Sequence, residues 1–132
     1  MSAARSLSLY FAAGALGGLA NSLAVWLFGR LGVSHALGVG LAPALTPAWL
    51  YPRVVWGGIW GLLFVLPLDL GWARRGLVLS LGPTLVQLLV VFPRAGAGVG
   101  GLSHGTLTPL LVVVFNAVWG LVASWWVEGT QG

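Results

Sequence analysis

The sequence predicts an all-α membrane protein, a four-transmembrane-helix bundle forming one integral membrane domain over residues 1–132. Composition is the first reason. Hydrophobic residues make up 58% of the chain and charged residues 6%, whereas soluble domains average roughly 25% charged. So few charges cannot hydrate the surface of a compact water-soluble fold, but a lipid solvent accepts apolar side chains facing outward. The second reason is spacing: four apolar stretches lie between arginines and Gly/Pro-rich breaks, and a span needs about 20 such residues. The third is a capped, tryptophan-studded run, Thr46–Leu68, with a weaker echo in Thr108–Val127.

The same composition excludes several chemistries. With no cysteine there are no disulfides, thiolate metal sites or covalent haem. The net charge of +4 comes from arginines scattered along the chain rather than clustered. That pattern argues against nucleic acid and for helix ends anchored at lipid head groups.

In chain order, the first span is Leu7–Phe28. It begins like a signal peptide, but its apolar part is too long for one and further spans follow. Gly14 and Gly18 form GxxxG within it, flanked by Ala13, Gly17, Ala20 and Ala24. Small residues let helix backbones approach in lipid, where no hydrophobic force drives association. Leu31–Leu45, with three glycines and Pro43, reads as an interfacial or re-entrant loop, because irregular backbone cannot face hydrocarbon. The second span covers 47–68, with Thr46 as N-cap and Pro47 at the first helical position. Arg53 is expected to extend toward head groups, and Gly57 with Gly61 makes a second GxxxG. The short connection after Asp69 makes the second and third spans antiparallel neighbours. The third span covers 76–92, with Pro83 bending it and Thr84 or Ser80 satisfying the freed backbone. The fourth covers 109–127, capped by Thr108.

Three strings recur in order: GVSH (32–35) as GLSH (101–104), LTP (45–47) as LTP (107–109), and WGL (60–62) as WGL (119–121). They suggest two tandem two-helix hairpin repeats, 1–70 and 71–132, related by an axis along the membrane normal. With four crossings, Arg5, Arg74 and Arg75 lie on one face and Arg30, Arg53 and Arg94 on the other. Three against three leaves the positive-inside rule nothing to choose between.

Few residues can carry chemistry. Asn21, Thr84, Gln87 and Asn116 are polar groups at depth, and an unpaired amide in hydrocarbon is costly. They serve as interhelical glue or line a polar pathway. No ionisable residue is expected at mid-membrane. His35 and His104 share one face and are the residues able to hold a b-type haem or sense pH. They sit in Gly/Ser-rich loops with no carboxylate nearby, so plain interfacial histidines are expected, with no cofactor and no metal. Asp69 and Glu128 fall on the opposite face, which leaves no Ser-His-acid set and predicts a protein that is not an enzyme.

The chain lacks both the TFSTF-like stretch of fluoride channels and the membrane-embedded glutamate of small multidrug transporters. The runs LAPALTPAWLYPRVVWGGIWGLLFVLP (41–67), GPTLVQLLVVFP (82–93) and FNAVWGLV (115–122) resemble a family of small uncharacterised bacterial four-helix integral membrane proteins. The resemblance covers most of the chain and implies a multi-pass protein of the bacterial inner membrane, the cell membrane. It implies no activity and assigns no residue roles. The expectation is a structural or accessory subunit, with the lipid bilayer and a homo-oligomer or other membrane subunits as partners. The GxxxG motifs Gly14, Gly18, Gly57 and Gly61 motivate it. The alternative is a small channel or carrier for a neutral or anionic solute, lined by Asn21, Thr84, Gln87 and Asn116.

Overall fold

The computed structural model describes residues 2–131, and these form four helices of membrane-spanning length with no β-strand among them. They are α1 (Ala3–Arg30), α2 (Pro47–Val65), α3 (Trp72–Arg94) and α4 (Thr108–Gln131). The protein is therefore an all-helical, multi-pass membrane protein.

Local chemistry explains where each helix starts. α1 begins earlier than residue 7 because Ser2 caps it, its hydroxyl accepting from the Arg5 N–H at 3.2 Å. α2 begins at Pro47, with the Thr46 hydroxyl accepting from the Trp49 N–H at 3.3 Å. It tightens into a 3-10 turn over Leu62–Val65 and stops before Pro67. α3 starts at Trp72 rather than residue 76, so Arg74 and Arg75 lie in its first turn. Pro83 removes one backbone donor, and α3 is irregular there, with a turn at Ser80 and a wide π-helical turn over Gln87–Val91. The carbonyl such a proline leaves free is the one four residues back. Neither hydroxyl takes it: Ser80 donates to the Leu77 carbonyl and Thr84 to the Ser80 carbonyl, both at 2.7 Å. Thr108 does not mirror Thr46. It is the first residue of α4, and its hydroxyl is buried without a hydrogen-bond partner.

The helices associate through glycine. The two GxxxG motifs interlock with each other: a Cβ on Gly57 would lie 2.8 Å from the Gly14 carbonyl oxygen and from Gly18 Cα. A Cβ on Gly61 would lie 2.8 Å from Gly14 Cα. Gly76 of α3 meets Gly120 of α4 in the same backbone-on-backbone manner. α1 thus lies between α2 and α4, while α3 packs mainly on α4. α2 and α3, expected as antiparallel neighbours, meet through side chains, Leu63 and Trp60 over Gly82 and Arg75 on the Phe64 carbonyl, without extended backbone packing. A short connection brings their ends together without obliging their lengths to pack, and the glycines that permit close approach point elsewhere.

Trp119 ties the centre. Its indole N–H lies 3.1 Å from the Gly14 carbonyl and 3.2 Å from the Gly57 carbonyl, so α4 donates into the α1–α2 seam. Tyr10, Phe64, Leu79 and Trp119 form a buried cluster on the amino-terminal side of that point. Arg75 closes its end, donating to the Phe64 carbonyl at 2.6 Å with its guanidinium 5.2 Å from the Phe64 ring centre.

The segment after α1 folds back over the other end of the bundle. Val39 is buried against Val25, Leu111 and Phe115, and Ala42 lies against Gly29. The two histidine-bearing loops meet there, the Gly40 N–H donating to the His104 carbonyl at 2.8 Å.

Candidate functional site: a four-helix polar network around Arg53

Asn21, Thr84, Gln87 and Asn116 come from three different helices, and the fold brings them into one hydrogen-bonded network. Asn21 Nδ2 donates to Asn116 Oδ1 at 3.1 Å and to the Phe115 carbonyl at 2.7 Å. Asn116 Nδ2 donates to Thr84 Oγ1 at 3.1 Å and faces Gln87 Oε1 at 3.4 Å. Gln87 opens the π-helical turn, a local widening common at functional positions.

The fourth helix contributes a residue that the sequence places elsewhere. Arg53 does not reach for head groups. Its Nε donates to Ser22 Oγ at 2.9 Å and its NH2 group to Asn21 Oδ1 at 2.8 Å, while its guanidinium lies 4.6 Å from the Trp49 ring centre. The expectation that Arg53 extends toward the head groups is therefore corrected. Arg53 is six positions into α2, roughly 9 Å below its start at 1.5 Å per residue. Good acceptors on α1 are within reach at that depth, and a charge-assisted hydrogen bond is about twice as strong as a neutral one. The guanidinium therefore turns inward.

Arg53 also sets the sense of the network. Arginine can only donate, so Asn21 must present its oxygen to it and its NH2 to Asn116. Asn116 then presents its oxygen to Asn21 and its NH2 to Thr84 and Gln87. Every amide orientation follows from the one cation. Ser22 fits the same logic, accepting from Arg53 while its own hydroxyl proton goes to the Gly18 carbonyl at 2.7 Å.

Among the described residues the cation has no acidic partner. The chain's two acids, Asp69 and Glu128, are exposed and belong to the amino-terminal face, on the order of 20 Å along the helices from this depth. Two of the five guanidinium N–H groups serve Ser22 and Asn21. Arg53 also borders two cavities. A cavity of about 380 Å³ lies on the loop side, roofed by Leu41, Ala42 and Pro43 and walled by Trp49 and Phe115. A second, of about 420 Å³, lies between α2 and α3, with Trp56, Trp60, Pro83 and Val86 in its walls. Asn21, Arg53, Gln87 and Asn116 border both.

The histidines are not part of this site. His35 is exposed in a short helical turn, and His104 packs edge-on against Phe92 with ring centres 5.9 Å apart. Among the described residues no group of three or more His, Cys, Asp or Glu side chains is placed to hold a metal ion.

Comparison with known proteins finds no match: no family model, no curated protein and no solved structure resembles this chain.

Arg53 and Ser22 are the site residues that sequence reasoning missed. The available signal was depth. Thr46 and Pro47 mark the start of α2, and counting from there puts Arg53 well past the head-group end of the helix.

Proposed function

We propose that this protein binds a small anionic solute within the membrane at Arg53 and carries it between the two sides. The observation that supports this reading is a half-buried guanidinium with no acid near it, held by neutral acceptors on α1 and facing two cavities. Even partway into a membrane helix a charged side chain costs more than a neutral one, up to about 2.5–3.5 kcal/mol at the centre on insertion scales, and a structural role is filled more cheaply by a neutral amide. An unpaired cation at depth attracts an anion, and a planar guanidinium grips carboxylate, sulfonate or phosphate oxygens in pairs.

A carrier fits better than an open pore. The site is bordered by space on the loop side and between α2 and α3, while Tyr10, Phe64, Leu79 and Trp119 fill the amino-terminal half. Passage through that half requires a second arrangement of the helices. The GxxxG motifs Gly14–Gly18 and Gly57–Gly61 pack against each other within one chain, so these glycines are not free to join a second copy.

The test uses methanesulfonate, which stays ionised at all working pH values. Tryptophan emission should report its binding to the detergent-solubilised chain, because Trp49, Trp56, Trp60 and Trp119 border the cavities. Arg53→Gln should weaken binding at least about tenfold, equivalent to 1.4 kcal/mol, with helical circular dichroism retained. Uptake of labelled methanesulfonate into proteoliposomes should fall in parallel. Equal binding by the native chain and Arg53→Gln would refute the proposal.

A further inference from the structure

We infer that the anion taken at Arg53 is amphiphilic, a singly charged head on a hydrocarbon chain that lies in the gap between α2 and α3. The inference rests on the anion-site reading above and adds the chemical class of the solute.

The second cavity carries it. Its polar end is Asn21, Arg53, Gln87 and Asn116, and the rest of its lining is dominated by Trp56, Trp60, Pro83, Val86, Val91 and Trp119. A chamber for a small hydrated ion would carry polar groups throughout. This one is polar at one end and greasy along its length, the pattern that fits an amphiphile.

It also opens sideways. Trp56 is 59% exposed, Val91 50% and Val86 37%, so the cavity walls reach the surface of the bundle. Trp56 is nine positions into α2, about 13 Å along the helix, where the surroundings are hydrocarbon. Tryptophan normally sits in the interfacial belts, because its N–H needs a polar partner. Trp56 and Trp60 instead stand one helical turn apart at depth, on the side of α2 that α1 does not cover. The gap exists because the backbone contacts of α2 are spent on α1 and those of α3 on α4. A chain entering from lipid would thus meet apolar walls, with the cation at the inner end.

Size agrees. At about 420 Å³, the gap falls within the roughly 300–1,000 Å³ of small-molecule clefts, and a chain too long for it would extend into lipid.

The experiment titrates methanesulfonate, butanesulfonate and hexanesulfonate, with hexyl phosphate to compare heads and hexan-1-ol as the uncharged control, against the full chain in mild detergent. Each buried methylene should tighten binding roughly threefold to fourfold. With three of the added methylenes buried, hexanesulfonate should bind about thirtyfold tighter than methanesulfonate, and Arg53→Gln should weaken both. Hexan-1-ol should bind at least tenfold more weakly than hexanesulfonate. Val86→Trp, which fills the gap from an exposed position, should shrink the thirtyfold preference to under threefold. Val91→Trp is the second blocking variant and should do the same. A flat series with Arg53-dependent methanesulfonate binding overturns the amphiphile and leaves the anion site standing. Binding that ignores Arg53 overturns both. A preference for hexanesulfonate that survives both blocking variants places the chain elsewhere and overturns the inference.

Discussion

Adding one methyl group to Gly57 probes the packing that holds the site. In most helix interiors Gly→Ala stabilises by roughly 0.5–1 kcal/mol, because alanine loses less backbone freedom on folding. At Gly57 the new Cβ would lie 2.8 Å from the Gly14 carbonyl oxygen and 2.8 Å from Gly18 Cα, about 1 Å inside ordinary contact distance. Both obstacles are backbone, so no rotamer change relieves them and α1 and α2 must separate. A gap of that size forfeits about a quarter to a half of the dispersion attraction across the seam. It also stretches the Trp119 N–H contacts of 3.1 and 3.2 Å, which depend on both helices together. Overpacking of this kind costs about 1–3 kcal/mol, and the propensity gain offsets only part of it. The expected net loss is about 1–2 kcal/mol. Thermal unfolding of the detergent-solubilised full chain, followed by circular dichroism, measures it. Gly129→Ala is the control, because Gly129 lies in the last turns of α4 with nothing within 4 Å of its virtual Cβ, and it should be neutral or stabilising. If Gly57→Ala proves as stable as Gly129→Ala, the interlocked seam is wrong.

Trp119→Phe keeps most of the ring and removes the indole N–H shared by Gly14 and Gly57; the same melt should show a loss of about 0.5–1.5 kcal/mol. Thr108→Val replaces a buried hydroxyl that has no partner with a methyl of similar size and should stabilise by about 1 kcal/mol, whereas a loss would mean that the hydroxyl is satisfied. Asn21→Leu removes the Arg53 acceptor and the link to Asn116, so unfolding should come about 1.5–3 kcal/mol earlier and methanesulfonate binding should weaken. Unchanged stability would show that the network does not join the helices.

How much was legible in advance varies with the range of the interaction. Thr46 and Pro47 announce the start of α2 because capping involves neighbours only. Thr108 and Pro109 carry the same letters, yet there the preceding Gly105 carbonyl takes the Thr108 N–H at 3.2 Å and the helix begins at the threonine itself. Asn21, Thr84, Gln87 and Asn116 stand out in any reading because an amide or hydroxyl in hydrocarbon demands a partner. That the partners are one another is decided by the packing of three helices. Arg53 was misplaced because an arginine near a helix end has two outlets, water or an internal acceptor, and only the position of Asn21 and Ser22 on α1 decides between them.

Taken alone, the sequence determined the solvent, the number of crossings and the glycines at which backbones can touch. Those properties follow from composition, apolar length and the absence of a side chain, all of which are local. Tertiary structure decided which glycine meets which, that α2 and α3 meet through side chains and not through backbone, and that Arg53 borders two cavities. Each of these depends on groups distant in sequence reaching the same depth in the membrane. The energy of a buried charge is set by its neighbours in space, and the chain order does not contain them.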